Sequence, residues 1–238
     1  MTLTALDAYA ALARSGVDAT RQAGRYGVQG AAEALIPADI APKLALEPHH
    51  RLLEIGCGPG RLIAALAPMV ATAVGLDHAD VIATAGPMPA NVELIAGGFP
   101  ETDVGDGWDR ILVYSVLHCL PDRNAAFRFA EAAARLLAPG GRLLIGDLPN
   151  RDRAARFRDS DAGRAFEADW AARRAAAGPE PEAVSVLAQA SQVGGFDDAQ
   201  LAGVLMAFRS DGYDAWILPQ APDLPFGRTR EDLLVVRP

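Results

Sequence analysis

From residue 51 onwards, short apolar runs alternate with stretches in which apolar residues recur every three or four positions. Runs of the first kind predict buried strands, and the second spacing predicts helices with one apolar face. The predicted strands are 51–55, 72–76, 92–95, 109–115, 141–147, 213–218 and 232–236, and the helices between them are 60–69, 78–85, 124–137 and 197–208. This alternation is typical of an α/β fold with a doubly wound, mostly parallel seven-stranded sheet. A Pro- and Gly-containing turn joins the last two strands, which predicts a closing antiparallel hairpin.

Two segments, residues 1–50 and 150–195, do not show this alternation of strands and helices. Residues 1–50 predict only helices, with breaks at Pro37 and Pro48 and a polar connector at 21–27. Residues 150–174 carry seven arginines and five acidic residues, and an insertion of this length usually covers something. We therefore divide the chain into a helical N-terminal cap, a cofactor-binding core, a helical insert or lid before the last strands, and the C-terminal part of the sheet. Their ranges are 1–50, 51–149, 150–195 and 196–238. Cap and insert are expected to form the substrate pocket together.

Composition narrows the class of protein. The net charge of −8 disfavours binding to nucleic acid, and no apolar run approaches the length needed to span a membrane. The N-terminus shows no signal peptide, and we interpret the two cysteines, Cys57 and Cys119, as reduced thiols. Together these features predict a cytoplasmic protein. The oligomeric state is left open, a homodimer included. His49 and His50 precede the first strand and are expected at the surface.

The first predicted strand ends in a glycine-rich loop. Glu54 is followed by Gly56, Gly58 and Gly60 at alternate positions, and a helical pattern begins at once. Glycines allow the backbone to approach a ligand closely, so this strand, turn and helix predict a cradle for a nucleotide-like cofactor.

Four motifs occur in an informative order. They are Glu54-x-Gly56-x-Gly58-x-Gly60, the acid Asp77 that ends strand 2, the stretch 115–122 after strand 4, and the turn 136–143 into strand 5. Because it has these four motifs in this order, the chain resembles the class I S-adenosylmethionine-dependent methyltransferases from about residue 51 to 149. A dinucleotide-binding domain would instead have a glycine at the position of Arg61.

The resemblance implies S-adenosylmethionine as the cofactor and S-adenosylhomocysteine as its product. Asp77 would accept hydrogen bonds from both ribose hydroxyls, and Glu54 would lie near the methionine end. The less favoured alternative is that Glu54 only ties the loop together. The implied cofactor-binding residues are Glu54, Gly56, Cys57, Gly58, Gly60, Asp77, His78, Gly98, Phe99 and Ser115.

One departure from the family concerns adenine. The family often places an Asp after strand 3 to accept the adenine amino group, and this chain has no acid at the matching place in Ala96-Gly97-Gly98-Phe99. The backbone near Gly98 and the face of Phe99 are alternatives for holding the base. Phe99 is equally compatible with a core position.

Three residues are candidates for catalysis. Methyl transfer requires alignment of the nucleophile, exclusion of water and, for an alcohol, a base. His118 follows strand 4 and is either a base or structural. Asp147 ends strand 5 and could orient a substrate hydroxyl, although too few oxygen ligands accompany it to predict a metal. Tyr26 in the connector is either a lid residue or a packing anchor.

These patterns predict an enzyme that methylates a small molecule, with oxygen in a sugar derivative or secondary metabolite as the favoured acceptor. Nucleic acid is further disfavoured because no N-P-P-Y-type tetrapeptide follows strand 4. The arginines of the insert either bind an anionic substrate or pair with neighbouring acids on a solvated face. The rival hypothesis is a noncatalytic S-adenosylmethionine-binding sensor or partner subunit with the same fold.

Overall fold

The computed structural model describes residues 4–189 and 193–238 of the chain. Its seven strands are β1 (Arg51–Ile55), β2 (Thr72–Asp77), β3 (Val92–Ala96), β4 (Trp108–Tyr114), β5 (Leu137–Pro149), β6 (Asp214–Pro219) and β7 (Arg230–Val236). They form one sheet in the order β3-β2-β1-β4-β5-β7-β6. The first five strands pair in parallel, and β7 pairs antiparallel with both β5 and β6. The predicted fold class is confirmed.

The α-helices are α1 (Ala5–Arg14), α2 (Ala19–Gln22), α3 (Gly30–Glu33), α4 (Ile36–Leu44), α5 (Arg61–Leu66), α6 (Ala79–Ile82), α7 (Arg123–Arg135), α8 (Arg151–Arg158), α9 (Asp161–Ala177) and α10 (Asp198–Ser210). The expected break at Pro37 is wrong, because Pro37 lies in the first turn of α4. A helix does not need the missing N–H of proline at that position. Strand β5 begins earlier than predicted because Leu137 pairs with Trp108.

The sheet is buried on both faces. In β4, Ile111 and Val113 pack into an apolar layer with α7 and α10, whereas Leu112 and Tyr114 face the opposite layer, which includes residues of α4 and α5. Alternate side chains of a strand point to opposite faces, so a continuous apolar run fills both layers. Among the described helices, none is both long enough and apolar enough to cross a membrane.

An irregularity in β5 lies next to the edge of the sheet where the parallel strands end. The register between β5 and β7 shifts between Ile145 and Leu148. Within the shift, Asp147 has φ 64° and its N–H donates to Oδ1 of the fully buried Asp232 at 2.9 Å. Because β-bulges redirect side chains, this shift explains how a buried carboxylate comes to lie at the end of a core strand.

Candidate active site

The glycine loop after β1 is fastened to the end of β2. The N–H groups of Gly56 and Cys57 donate to the carbonyl oxygen of Leu76 at 2.8 and 3.2 Å. Gly56 has φ 79°, and a Cβ at this position would lie 2.4 Å from Cγ2 of Val116. Both the backbone conformation and the space therefore require glycine here.

Asp77 closes the loop from the side of β2. Its Oδ2 accepts a hydrogen bond from the N–H of Gly58 at 2.7 Å, and its Oδ1 accepts one from the N–H of His78 at 2.6 Å. Burial raises the pKa of Asp77, and the hydrogen bonds from Gly58 and His78 oppose that rise. A carboxylate has about four acceptor positions, so Asp77 retains the capacity to accept from two ligand hydroxyls.

Glu54 lies beneath the loop and is 2% exposed. Its Oε2 is buried, and no group in the described part of the chain donates a hydrogen bond to it. Burial, followed by the charge of Asp77, raises the pKa of Glu54 well above its ordinary value. A buried acceptor without a donor is costly, and a cationic or N–H-bearing ligand beside it would relieve that cost.

A cavity of about 610 Å³ joins these groups. Its floor consists of the glycine loop and the ends of β1, β2 and β4. The cap supplies the opposite wall, through α1, α2, the Arg25 loop, Glu33 of α3 and the start of α4. This volume lies within the range of pockets that hold small molecules and cofactors.

The core of the chain matches a known family. A family model described as a methyltransferase domain matches residues 53–143. This region is a methyltransferase domain. The resemblance to class I S-adenosylmethionine-dependent methyltransferases is thereby confirmed.

Relatives of the methyltransferase domain extend this result. The chain is 32% identical over 162 residues to ubiquinone biosynthesis O-methyltransferase of Xanthomonas campestris pv. campestris, which covers 64% of this chain and 63% of that relative. The chain therefore spans less than two thirds of the relative's length. The match to the plantazolicin methyltransferase BpumL, solved with S-adenosylhomocysteine, has a TM-score of 0.61 at 13% identity. It covers 98% of this chain and 96% of the BpumL chain. The match to the mitomycin 7-O-methyltransferase MmcR has a TM-score of 0.58 at 20% identity, and it covers 97% of this chain and 60% of the MmcR chain. These two likenesses show the fold.

Most residues that the resemblance assigns to the cofactor face the cavity of the methyltransferase domain. The residues that line it are Glu54, Gly56, Cys57, Gly58, Asp77, His78, Gly98, Phe99 and Ser115. Gly60 lies outside the wall, in a left-handed conformation (φ 81°) at the start of α5. Phe99 meets both expectations for its side chain, since it lines the cavity and also packs against the core.

Of the three catalytic candidates, Asp147 lies behind the cavity wall. Ser115, which lines the cavity with φ 61°, donates from its Oγ to Oδ2 of Asp147. The guanidinium of Arg230 donates to the same carboxylate oxygen at 2.6 Å, and Arg25 lies 3.7 Å from it. Asp147 is therefore connected to the cavity through Ser115 and Arg25, which both line it. Left-handed conformations of residues other than glycine, here at Ser115 and Asp147, are typical of functional sites.

His118 and Tyr26 lie away from the cavity wall. Burial, with a smaller contribution from Arg230, lowers the pKa of His118 to about 4, so the ring is neutral at neutral pH. The ring of Tyr26 packs on Trp170 at 5.7 Å between centroids, and the guanidinium of Arg174 lies 4.3 Å above it. This placement favours the packing-anchor interpretation of Tyr26 over the lid residue.

Two residues of the cap, Tyr9 and Arg25, line the cavity and escaped the sequence reasoning. The hydroxyl of Tyr9 lies 3.9 Å from Sγ of Cys119, and burial raises the pKa of both groups. Arg25 donates to Ser115 Oγ at 3.2 Å and is 6% exposed, with its Nε buried and unpaired within the described residues. The spacing of Ala5, Tyr9 and Ala13, four residues apart, was the available signal, because it places one helix face on one surface.

The expectation that His50 lies at the surface is wrong. His49 is exposed, but His50 is 5% exposed and its Nδ1 accepts the N–H of Glu47 at 2.9 Å. The carboxylate of Glu47 and the two imidazoles lie within 4.8 Å of one another. However, the bond to Nδ1 leaves the ring proton of a neutral His50 on Nε2, so that ring has no free lone pair for a cation.

Proposed function

We propose that this chain transfers a methyl group from S-adenosylmethionine to an oxygen atom of a small molecule. The observation that carries the proposal is the cavity, which joins Glu54, the glycine loop and Asp77 to a wall supplied by the cap. A wall over the edge of the sheet restricts the substrate to molecules that fit beneath it. The names of the ubiquinone and mitomycin relatives support oxygen as the acceptor atom. Secondary metabolites and sugar derivatives are the substrate classes to screen first.

Each part of the site has a role in this proposal. When bound, S-adenosylmethionine supplies an electrophilic methyl group. Asp77 accepts from the ribose hydroxyls, and Glu54 faces the cationic methionine end. The cap excludes water, and Ser115, held by Asp147 and Arg25, positions the hydroxyl of the substrate. In this arrangement Asp147 acts through Ser115, while His118 and Tyr26 support the surrounding structure.

A cytoplasmic location belongs to the same proposal. Cys57 and Cys119 are both free thiols, as is usual for proteins of a reducing compartment.

Calorimetry with S-adenosylmethionine and S-adenosylhomocysteine tests the proposal. We expect Asp77→Asn to weaken binding by roughly 1–3 kcal/mol, the usual cost of losing a charged hydrogen-bond partner. Asp223→Asn, at an exposed residue outside the cavity wall, removes the same charge and serves as the control.

Three outcomes separate the hypotheses. If neither molecule binds, the proposed cofactor site is refuted. If both bind but labelled methyl never reaches any metabolite in an extract, the noncatalytic sensor or partner subunit replaces the enzyme. If Asp77→Asn binds like the unmodified protein, the ribose lies elsewhere.

A further inference from the structure

The side chain of Asp232 is fully buried behind the cavity wall. Its Oδ1 accepts hydrogen bonds from the N–H of Asp147 at 2.9 Å and from Nε2 of Gln220 at 2.8 Å. Its Oδ2 accepts from Nζ of Lys43 at 2.7 Å. Apolar residues of similar volume often replace a buried ion pair without loss of stability, so stability alone does not explain this carboxylate. The three donors indicate what it does, because they come from β5, from the turn after β6 and from the cap.

Asp232 lies opposite the irregularity in β5. The residues on either side pair regularly, so that two residues of β5, Gly146 and Asp147, oppose the single residue Asp232 of β7. This is the pattern of a β-bulge, in which the extra residue leaves the ladder of backbone hydrogen bonds. The N–H of Asp147 therefore needs another acceptor, and the carboxylate of Asp232 supplies it.

The bulge gives Asp147 a strained backbone conformation. Its φ of 64° lies in the left-handed region, which residues other than glycine keep only where neighbouring groups hold them there. In this conformation Oδ2 of Asp147 accepts from Oγ of Ser115 and lies 3.7 Å from Arg25, and both of these residues line the cavity. A return of Asp147 to the extended backbone of a regular strand would redirect its carboxylate. The hydrogen bond to Asp232 opposes that return.

Lys43 connects the bulge to the cap. Its Nζ donates to Asp39 of the same helix at 2.6 Å as well as to Oδ2 of Asp232. This helix is α4, which anchors the cap in the core. Burial raises the pKa of Asp232, and the ammonium group of Lys43 opposes that rise. The cap therefore favours the ionised carboxylate and holds Oδ2, which leaves Oδ1 to Asp147.

We propose that Asp232 is a positioning residue for methyl transfer. It holds the left-handed backbone of Asp147 and thereby directs the carboxylate of Asp147 toward Ser115 and Arg25 at the cavity. Because Lys43 holds Asp232 in turn, the docking of the cap and the geometry of Ser115 are coupled through one buried carboxylate. The inference rests on the proposed function, because it assumes that Ser115 positions the substrate hydroxyl.

Two double variants separate this role from ordinary packing. Lys43→Met with Asp232→Asn removes both charges but keeps a side-chain oxygen that can accept from the N–H of Asp147. Lys43→Met with Asp232→Leu removes the same charges and leaves no acceptor. Urea unfolding checks that both variants fold. Calorimetry should show that both bind S-adenosylhomocysteine with similar affinity, since neither residue lines the cavity.

The rate of methyl transfer distinguishes the two variants, with a metabolite that becomes labelled in an extract supplied at saturation. We expect the asparagine variant to stay within about threefold of the unmodified protein and the leucine variant to lose roughly a hundredfold in kcat, since a misplacement of about 1 Å can cost that much. The KM for S-adenosylmethionine should stay the same in both. In an Asp147→Ala background the two variants should have equal kcat, because Asp232 then has no carboxylate to direct.

The outcomes are distinguishable. If the unmodified protein labels no metabolite, the proposed function fails and this inference fails with it. If it transfers methyl while the two double variants have equal kcat, or if their difference persists without the Asp147 carboxylate, only the role of Asp232 is overturned. Should the leucine variant fail to fold, Asp232→Ala with Lys43→Met takes its place, because alanine also removes the acceptor and adds no bulk.

Discussion

The cap and the insert are both helical additions to the sheet, yet they have different positions relative to the cavity. The cap lines the cavity from α1 to the start of α4, whereas none of the described residues of the insert reaches the cavity wall. The insert lies outside the cap instead. Its helix α9 packs on the 3₁₀ turn Gly27–Gln29, and α1 lies against the 3₁₀ helix Glu182–Gln189. The expectation that both segments form the pocket is therefore met only by the cap.

The packing of the two segments explains the difference. Helix α4 of the cap buries Ile36, Ile40 and Leu44 against the sheet, so the cap is anchored in the core. In α9 only Gly163 is buried, and two of its arginines, Arg164 and Arg173, pair with acids at the surface. A segment that buries little apolar area cannot hold a fixed position over a cavity alone. We therefore interpret the cap as the enclosing element and the insert as its brace.

Among the substitutions that distinguish the cap from the insert, we expect Arg25→Ala in the cap to have the largest effect. Its guanidinium lies 3.5 Å from Glu33 and 3.7 Å from Asp147, and all three side chains are largely buried. Arg25→Ala removes the cation between two buried carboxylates, which we expect to lower the free energy of unfolding by about 3 kcal/mol. Urea unfolding at neutral pH measures this change.

A double variant sharpens the test of Arg25. In Arg25→Ala, Arg230 still pairs with Asp147, so the less compensated charge is that of Glu33, whose other cationic partner among the described residues, Arg61, is half exposed. If the loss comes from uncompensated charge, adding Glu33→Gln should recover part of it, and the double-mutant cycle gives the coupling. Wild-type stability for Arg25→Ala would show that these buried charges do not anchor the cap.

A smaller effect is expected where the insert holds the cap. The carboxylate of Glu180 accepts from Nε of Arg21 at 2.6 Å and from the N–H of Gly27 at 3.2 Å. Glu180→Ala should weaken the attachment of the cap to the insert by about 1–2 kcal/mol, because it removes both hydrogen bonds at a largely buried site. We expect faster amide hydrogen exchange over residues 18–29 and faster dissociation of S-adenosylhomocysteine.

Glu182→Ala is the matched control, since Glu182 is exposed and accepts no hydrogen bond within the described residues. Equal exchange in both variants would contradict the brace interpretation, and the insert would then be independent of the cap.

The strands were predictable because each is a short apolar run and because these runs alternate with stretches of helical spacing. β1 begins and ends at the predicted residues, and the continuous apolar run of β4 identifies a strand buried on both faces. The start of β5 was missed because the turn residues Pro139 and Gly140 conceal its pairing with β4 and with Arg237 beyond β7. Such a pairing depends on distant partners and leaves no local pattern.

Residues of the site were predictable where the backbone conformation or the position in the fold requires one residue type. Gly56 needs its positive φ and Asp77 ends its strand, so both could be found from motifs. Arg25 and Tyr9 could not, since their function depends on how the cap folds over the sheet.

The smallest effect is expected from the surface arginines of the insert. Arg158 lies 3.9 Å from Glu167, Arg173 lies 2.9 Å from Asp169, and Arg164 pairs with Asp161, all with side chains at least half exposed. Exposed pairs contribute roughly 0.5 kcal/mol or less each, so replacing the three arginines by glutamine should barely change the urea midpoint. Affinity for S-adenosylhomocysteine and the KM for the methyl acceptor should also stay the same, because these side chains lie outside the cavity wall. A raised KM with unchanged stability would contradict this prediction. It would show that the insert reaches an anionic substrate after all, and the functional difference between cap and insert would disappear.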